Sequence, residues 1–89
     1  MKYIRCKKID LKSVADTFLL IPLHAPDQAL YTLNETGRLC WEAINEPQTE
    51  DQIVATLAEQ YEEVSRETLE KDVREFLREM LEMNLIEKG

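Results

Sequence analysis

Three consecutive stretches decide the fold: LNETGRLCWEAI (33–44), TEDQIVATLAEQY (49–61) and SRETLEKDVREFLREMLEMNLI (65–86). Each opens on a residue that accepts hydrogen bonds from free helical N–H groups, and each then repeats apolar residues at intervals of three and four. In the first, Asn34 is the cap, Glu35 suits the positive end of the helix dipole, and Gly37, Cys40, Trp41 and Ile44 share a face. Gly37 costs about 1 kcal/mol of helix propensity relative to alanine, which predicts close approach of another backbone. Asn45-Glu46-Pro47 ends this helix, because a residue before proline avoids helical dihedrals. In the second, Thr49 and Gln52 form a T-x-x-Q capping box, and Ile53, Val54, Leu57, Ala58 and Tyr61 make the buried stripe. In the third, Ser65 is the cap and Leu69, Val73, Phe76, Leu77, Met80 and Leu81 form a long apolar face to about Met83. Its charges predict i,i+4 pairs of Glu67 with Lys71 and of Glu70 with Arg74. Asn84 takes the terminating role often filled by glycine, and Leu85-Ile86 fold back as an apolar tail.

The residues before Leu33 read as strands. Tyr3, Ile4, Cys6 and Ile9 lie in a loosely alternating, charged stretch. Asp10 to Asp16 reads as a turn or loop. TFLLIPL (17–23) is β-favouring and limited by Pro22, which cannot donate to a sheet ladder. HAPDQ (24–28) carries turn chemistry, and ALYTL (29–33) alternates, with Leu30 and Thr32 facing one way and Tyr31 and Leu33 the other. Three short antiparallel strands followed by three helices predict a single α+β domain over residues 1–89, of winged helix-turn-helix type.

Composition narrows the function. The 89 residues suit one core, and the net charge is −7. Residues 1–12 hold five basic residues against Asp10, so the rest is more acidic than the whole. Such a surface repels phosphate backbones, and nucleic acid is not an expected partner. A winged-helix DNA-binding regulator is the competing class. Its recognition helix, 66–83, would carry four basic and six acidic residues, a poor approach to DNA. Cys6 and Cys40 stand apart, without metal-site or disulfide spacing, and read as small apolar residues. The N-terminus has no apolar signal core and no segment is apolar enough to span a bilayer, so a cytoplasmic protein with no membrane partner is expected. Trp41 has core spacing. His24 lacks a nucleophile or acidic partner, and Glu62-Glu63 reads as a solvated helix end. No catalytic, metal or cofactor constellation emerges, and the chain is not read as an enzyme.

Leu33-Asn34 followed by Trp41, the T-x-x-Q-I start at Thr49–Ile53, the D-V-R-E-F-L run at Asp72–Leu77, and the closing Leu85-Ile86 resemble the PqqD family in order and spacing over roughly residues 14–87. One departure is the Asn45-Glu46-Pro47 turn, where family members often have Asp-Gly. The resemblance implies a recognition element for ribosomally made, modified peptides. Such a protein binds the leader of a precursor peptide and presents it to a modifying enzyme, often a radical S-adenosylmethionine protein, in pyrroloquinoline quinone synthesis or another peptide pathway. It further implies that the leader adds as a strand to Ala29, Leu30, Tyr31, Thr32 and Leu33 and packs on the helix face bearing Val73, Arg74, Leu77, Arg78 and Leu81. Apolar leader residues would enter between Leu30, Val73 and Leu77, and Arg74 and Arg78 would meet acidic ones. The open strand edge also allows two copies to pair as a homodimer.

Overall fold

The chain builds two small sheets around a three-helix core. In a computed structural model, residues 1–25 and 30–89 are described. The elements are β1 (Tyr3–Arg5), β2 (Ile9–Val14), β3 (Thr17–Pro22), β4 (Tyr31–Leu33), α1 (Glu35–Ala43), α2 (Glu50–Gln60), α3 (Arg66–Glu82) and β5 (Ile86–Lys88). This is the expected α+β, winged helix-turn-helix-like arrangement, with a C-terminal strand added. One sheet is antiparallel with order β2-β3-β4, and the other pairs β1 with β5.

Three stretches differ from the sequence reading. The strand expected from Tyr3 to Ile9 divides: Tyr3–Arg5 forms β1, which pairs with β5 outside the three-stranded sheet, and Ile9 belongs to β2. Asp10–Asp16 is not a loop. Residues 10–14 belong to β2, which pairs with β3 from Ile9↔Pro22 to Val14↔Thr17, and only Ala15-Asp16 forms a two-residue turn. Ala15 has φ of 55°, a left-handed conformation that glycine adopts without cost and alanine does not. The Leu85-Ile86 tail is also more than an apolar fold-back. Ile86 begins β5 opposite Arg5, and Leu85 and Ile86 are both buried. The turn expected over 24–28 lies partly outside the described residues, but β3 and β4 are antiparallel as anticipated.

All three helix caps form. Asn34 accepts from the Gly37 N–H, Thr49 and Gln52 satisfy each other's backbone donors, and Ser65 accepts from the Thr68 N–H. At the end of α3, Asn84 has φ of 59°. The Leu85 N–H donates to the Met80 carbonyl and the Asn84 N–H to the Leu81 carbonyl, the paired bonds of a Schellman cap. The i,i+4 pairing on α3 departs from expectation. Glu70 takes Arg66 at 3.0 Å, and Arg74 instead reaches Glu50 at the start of α2, 3.5 Å away.

Trp41, Ile44, Ile53, Val54, Leu57, Val73 and Met80 are fully buried where the helices meet, with Leu20 and Leu33 supplied by the sheet. Trp41 is therefore a core residue. Arg5 clamps β1 over it, donating to the Trp41 carbonyl and, at 2.8 Å, to the Asn45 side chain. Part of the basic N-terminal stretch thus has a structural partner.

Candidate peptide-binding groove

β4 is a sheet edge. It pairs with β3 alone, through Phe18↔Leu33, Leu19↔Thr32 and Leu20↔Tyr31. Because backbone groups of an antiparallel strand alternate in direction, part of its N–H and C=O set points away from β3. Leu30, just before it, donates its N–H to the Leu20 carbonyl and extends the pairing by one bond. The side chains alternate as expected. Leu33 enters the core, Tyr31 reaches toward α3, and Thr32 is exposed on the other face.

A groove of about 510 Å³ runs beside this edge. Tyr31, Thr32 and Leu33 form one side, and Asp72, Glu75, Phe76 and Glu79 of α3 form the other. The first turn of α1 closes one end with Asn34, Thr36 and Gly37. That turn is held in place locally. Asn34 follows β4 directly and accepts from the Gly37 N–H at 2.7 Å, so strand and helix meet without a loop between them. Gly37 is buried. A Cβ there would lie 3.1 Å from the Leu33 side chain and 3.2 Å from the Asn34 side-chain oxygen. The close neighbours that favour glycine are side chains at the strand–helix junction, rather than the second backbone its sequence position suggested.

The groove is acidic on its helical side. Asp72 is half-buried, Glu75 and Glu79 are exposed, and among the described residues that line it there is no lysine or arginine. Phe76, 8% exposed, is the apolar surface between these carboxylates. Tyr31 spans the groove, its hydroxyl donating to Glu79 at 2.5 Å. That hydrogen bond, with partial burial and the negative charge of Glu79, raises the Tyr31 phenol above its ordinary range.

The residues anticipated from sequence fall into three places. Leu30, Tyr31, Thr32 and Leu33 lie on or next to the open edge, and Ala29 lies outside the described residues. Val73 and Leu77, 0% and 3% exposed, point into the core and back the groove instead of lining it, while Leu81 is half-buried against the same core. Arg74 turns toward α2 and its Glu50, and Arg78 is exposed away from the lining. The helical wall is thus one step round α3 from the expected face. Residues 72, 75, 76 and 79 recur at three- and four-residue intervals on the flank toward β4, whereas Arg74 occupies the flank toward α2.

Among the described residues, no group of three histidine, cysteine, aspartate or glutamate side chains gathers in a way that could hold a metal, and no helix is long and apolar enough to cross a membrane. Residues 20–86 match the family described as coenzyme PQQ synthesis protein D (PqqD). Among solved structures the chain is similar to TbiB1, determined in complex with the TbiA(beta) leader peptide. The two share 24% sequence identity with a TM-score of 0.75, over 97% of this chain and 96% of that one. At that identity the likeness shows a shared fold. Among curated proteins none matches the sequence.

Proposed function

The chain belongs to the PqqD family, and on that premise we propose that it binds the leader of a ribosomally made precursor peptide at the open edge of β4 and presents it to a modifying enzyme. PqqD proteins are non-catalytic and bind peptides, so the role is recognition and not chemistry. The modifying enzyme is a radical S-adenosylmethionine protein or another peptide-modifying enzyme, and the pathway is pyrroloquinoline quinone synthesis or another peptide modification, carried out in the cytoplasm.

The observation that carries this reading is the unpaired edge of β4 facing a groove walled by α3. An extended segment laid there gains main-chain hydrogen bonds from Tyr31–Leu33, which give affinity independent of sequence. Its side chains alternate, so every second one faces α3 and meets Phe76 and its flanking carboxylates, which give selectivity. TbiB1, which shares the fold, was solved with a leader peptide bound, and this supports the same use of the fold here.

The test is a titration of labelled leader peptides, taken from the short reading frames beside this one, against the purified protein. At least one is expected to bind with modest salt dependence. Binding of a DNA fragment with steep salt dependence, and of no leader, overturns the reading. Arg74→Glu separates the two flanks of α3. Arg74 is solvent-exposed and its contact with Glu50 is a surface pair, worth at most about 1 kcal/mol. The variant is expected to keep both its thermal transition and its leader affinity, and a large loss of affinity would return the α2-facing flank to the site.

A further inference from the structure

The charge pattern of the groove specifies the chemistry of its occupant. We infer that the leader segment recognised here is basic, with lysine or arginine at alternating positions that face α3. This rests on the strand-addition reading above and adds a substrate class to it.

Three observations meet at one place. First, Asp72, Glu75 and Glu79 stand on one wall, and among the described residues none of them has an ion-pair partner: the recorded pairs join Arg38 with Glu42, Arg66 with Glu70 and Arg74 with Glu50. Like charges spaced three or four apart on a helix repel, so this wall holds an unfavourable arrangement that a cation would relieve. Second, the wall is not purely polar. Phe76 and the Tyr31 ring present apolar surface beside the carboxylates. A lysine or arginine has the same division, with an aliphatic stem for the rings and a charged head for the carboxylates. Third, the opposite side is a free strand edge, which fixes an incoming chain as extended and sends alternate side chains toward the helix.

The spacing agrees. Glu75 and Glu79 are four residues apart, about 6 Å along a helix axis at about 1.5 Å per residue. Same-face residues of a strand are about 6.7 Å apart. A basic-x-basic segment laid along α3 thus offers one cation to each of these two carboxylates. An acidic leader at these positions would be placed against Asp72, Glu75 and Glu79 with no cation in the lining to meet it.

The experiment uses three fluorescein-labelled peptides, each about ten residues long on one threonine- and valine-rich background. They carry lysine, glutamine or glutamate at two positions separated by one residue. Anisotropy titrations are run against the wild type and against the exposed-site double variant Glu75→Gln with Glu79→Gln, which keeps an acceptor for Tyr31. The lysine peptide is expected to bind the wild type at least about tenfold more tightly than the glutamate peptide at low salt. The double variant should bring that ratio to within about twofold while still binding the glutamine peptide, because main-chain pairing remains available. Equal binding of the lysine and glutamate peptides to the wild type overturns the basic-leader inference and leaves strand addition standing. A preference that survives intact in the double variant also overturns it. Failure of all three peptides to bind overturns strand addition at β4 and this inference together.

Discussion

Cys40 shows how burial sets chemistry one residue at a time. Its side chain is fully buried on α1, and desolvation, helped by the negative charge of Asp72, pushes the thiol up to about 12. The unfolded thiol titrates near 9.0, so above that pH the unfolded chain loses a proton that the folded chain keeps. Stability is expected to be unaffected by this group below pH 9, and to fall as pH rises from there toward about 12, by up to about 1.4 kcal/mol per pH unit. Tyr31, raised by its bond to Glu79, acts with the same sign above its ordinary value of 10.0. Urea unfolding at several pH values, compared between the wild type and Cys40→Ala, measures the Cys40 share. The variant should show a shallower decline, and an identical decline would remove the burial argument. In the folded protein a thiol reagent should modify half-buried Cys6 while Cys40 resists until denaturant is added.

Among the described residues two turns depend on non-glycine residues in the left-handed region, and they explain what could and could not be read in advance. Asn84 at the end of α3 was legible, because asparagine is among the few side chains that tolerate that conformation and the apolar periodicity stops there. Ala15 was not. The β2–β3 turn uses a positive φ at the first of its two loop residues, where glycine is preferred, and Val14-Ala15-Asp16-Thr17 lacks that signal. With no turn visible, β2 merged into an apparent loop although Ile9 and Leu11 alternate with Asp10 and Lys12. Ala15→Gly is expected to stabilise the domain by about 0.5–1 kcal/mol, since the relief of left-handed strain exceeds the entropy that glycine adds to the unfolded chain. Asn84→Gly should change stability less, within about 0.5 kcal/mol, because asparagine already tolerates the site. Denaturant midpoints at constant m-value measure both, and a destabilised Ala15→Gly would contradict the strain argument. The helices were legible because caps and periodicity agree on each. The groove was half legible. β4 follows from alternation and from its place beside α1, but the flank of α3 that faces it depends on how that helix rolls between β4 and α2. Periodicity identifies the buried stripe of Leu69, Val73, Phe76, Leu77 and Met80, and carries no information on which side of it borders the sheet.

At the scale of the molecule, one core couples three helices to a sheet with two free edges, β2 on one side and β4 on the other. They differ in setting. The outer edge of β2 lies in the chain's basic N-terminal part, with Lys12 exposed. The β4 edge borders the groove, with the carboxylates of α3 opposite and the α1 cap at its end. An extended basic peptide has main-chain partners at both edges, and at β4 it also meets the three carboxylates of α3 that line the groove. Mass action then makes a further prediction. A bound leader at about 100 times its Kd stabilises the whole domain by about 2.7 kcal/mol and slows every amide that exchanges by global unfolding. Amides of an edge strand exchange through local opening, so protection there reports direct pairing. Hydrogen exchange with and without the tightest-binding leader should therefore show added protection in β4 and the first turn of α1, and none in the outward-facing amides of β2. Protection of β2 with β4 unchanged would put the peptide on the opposite edge, and the acidic wall of α3 would then have no part in its recognition.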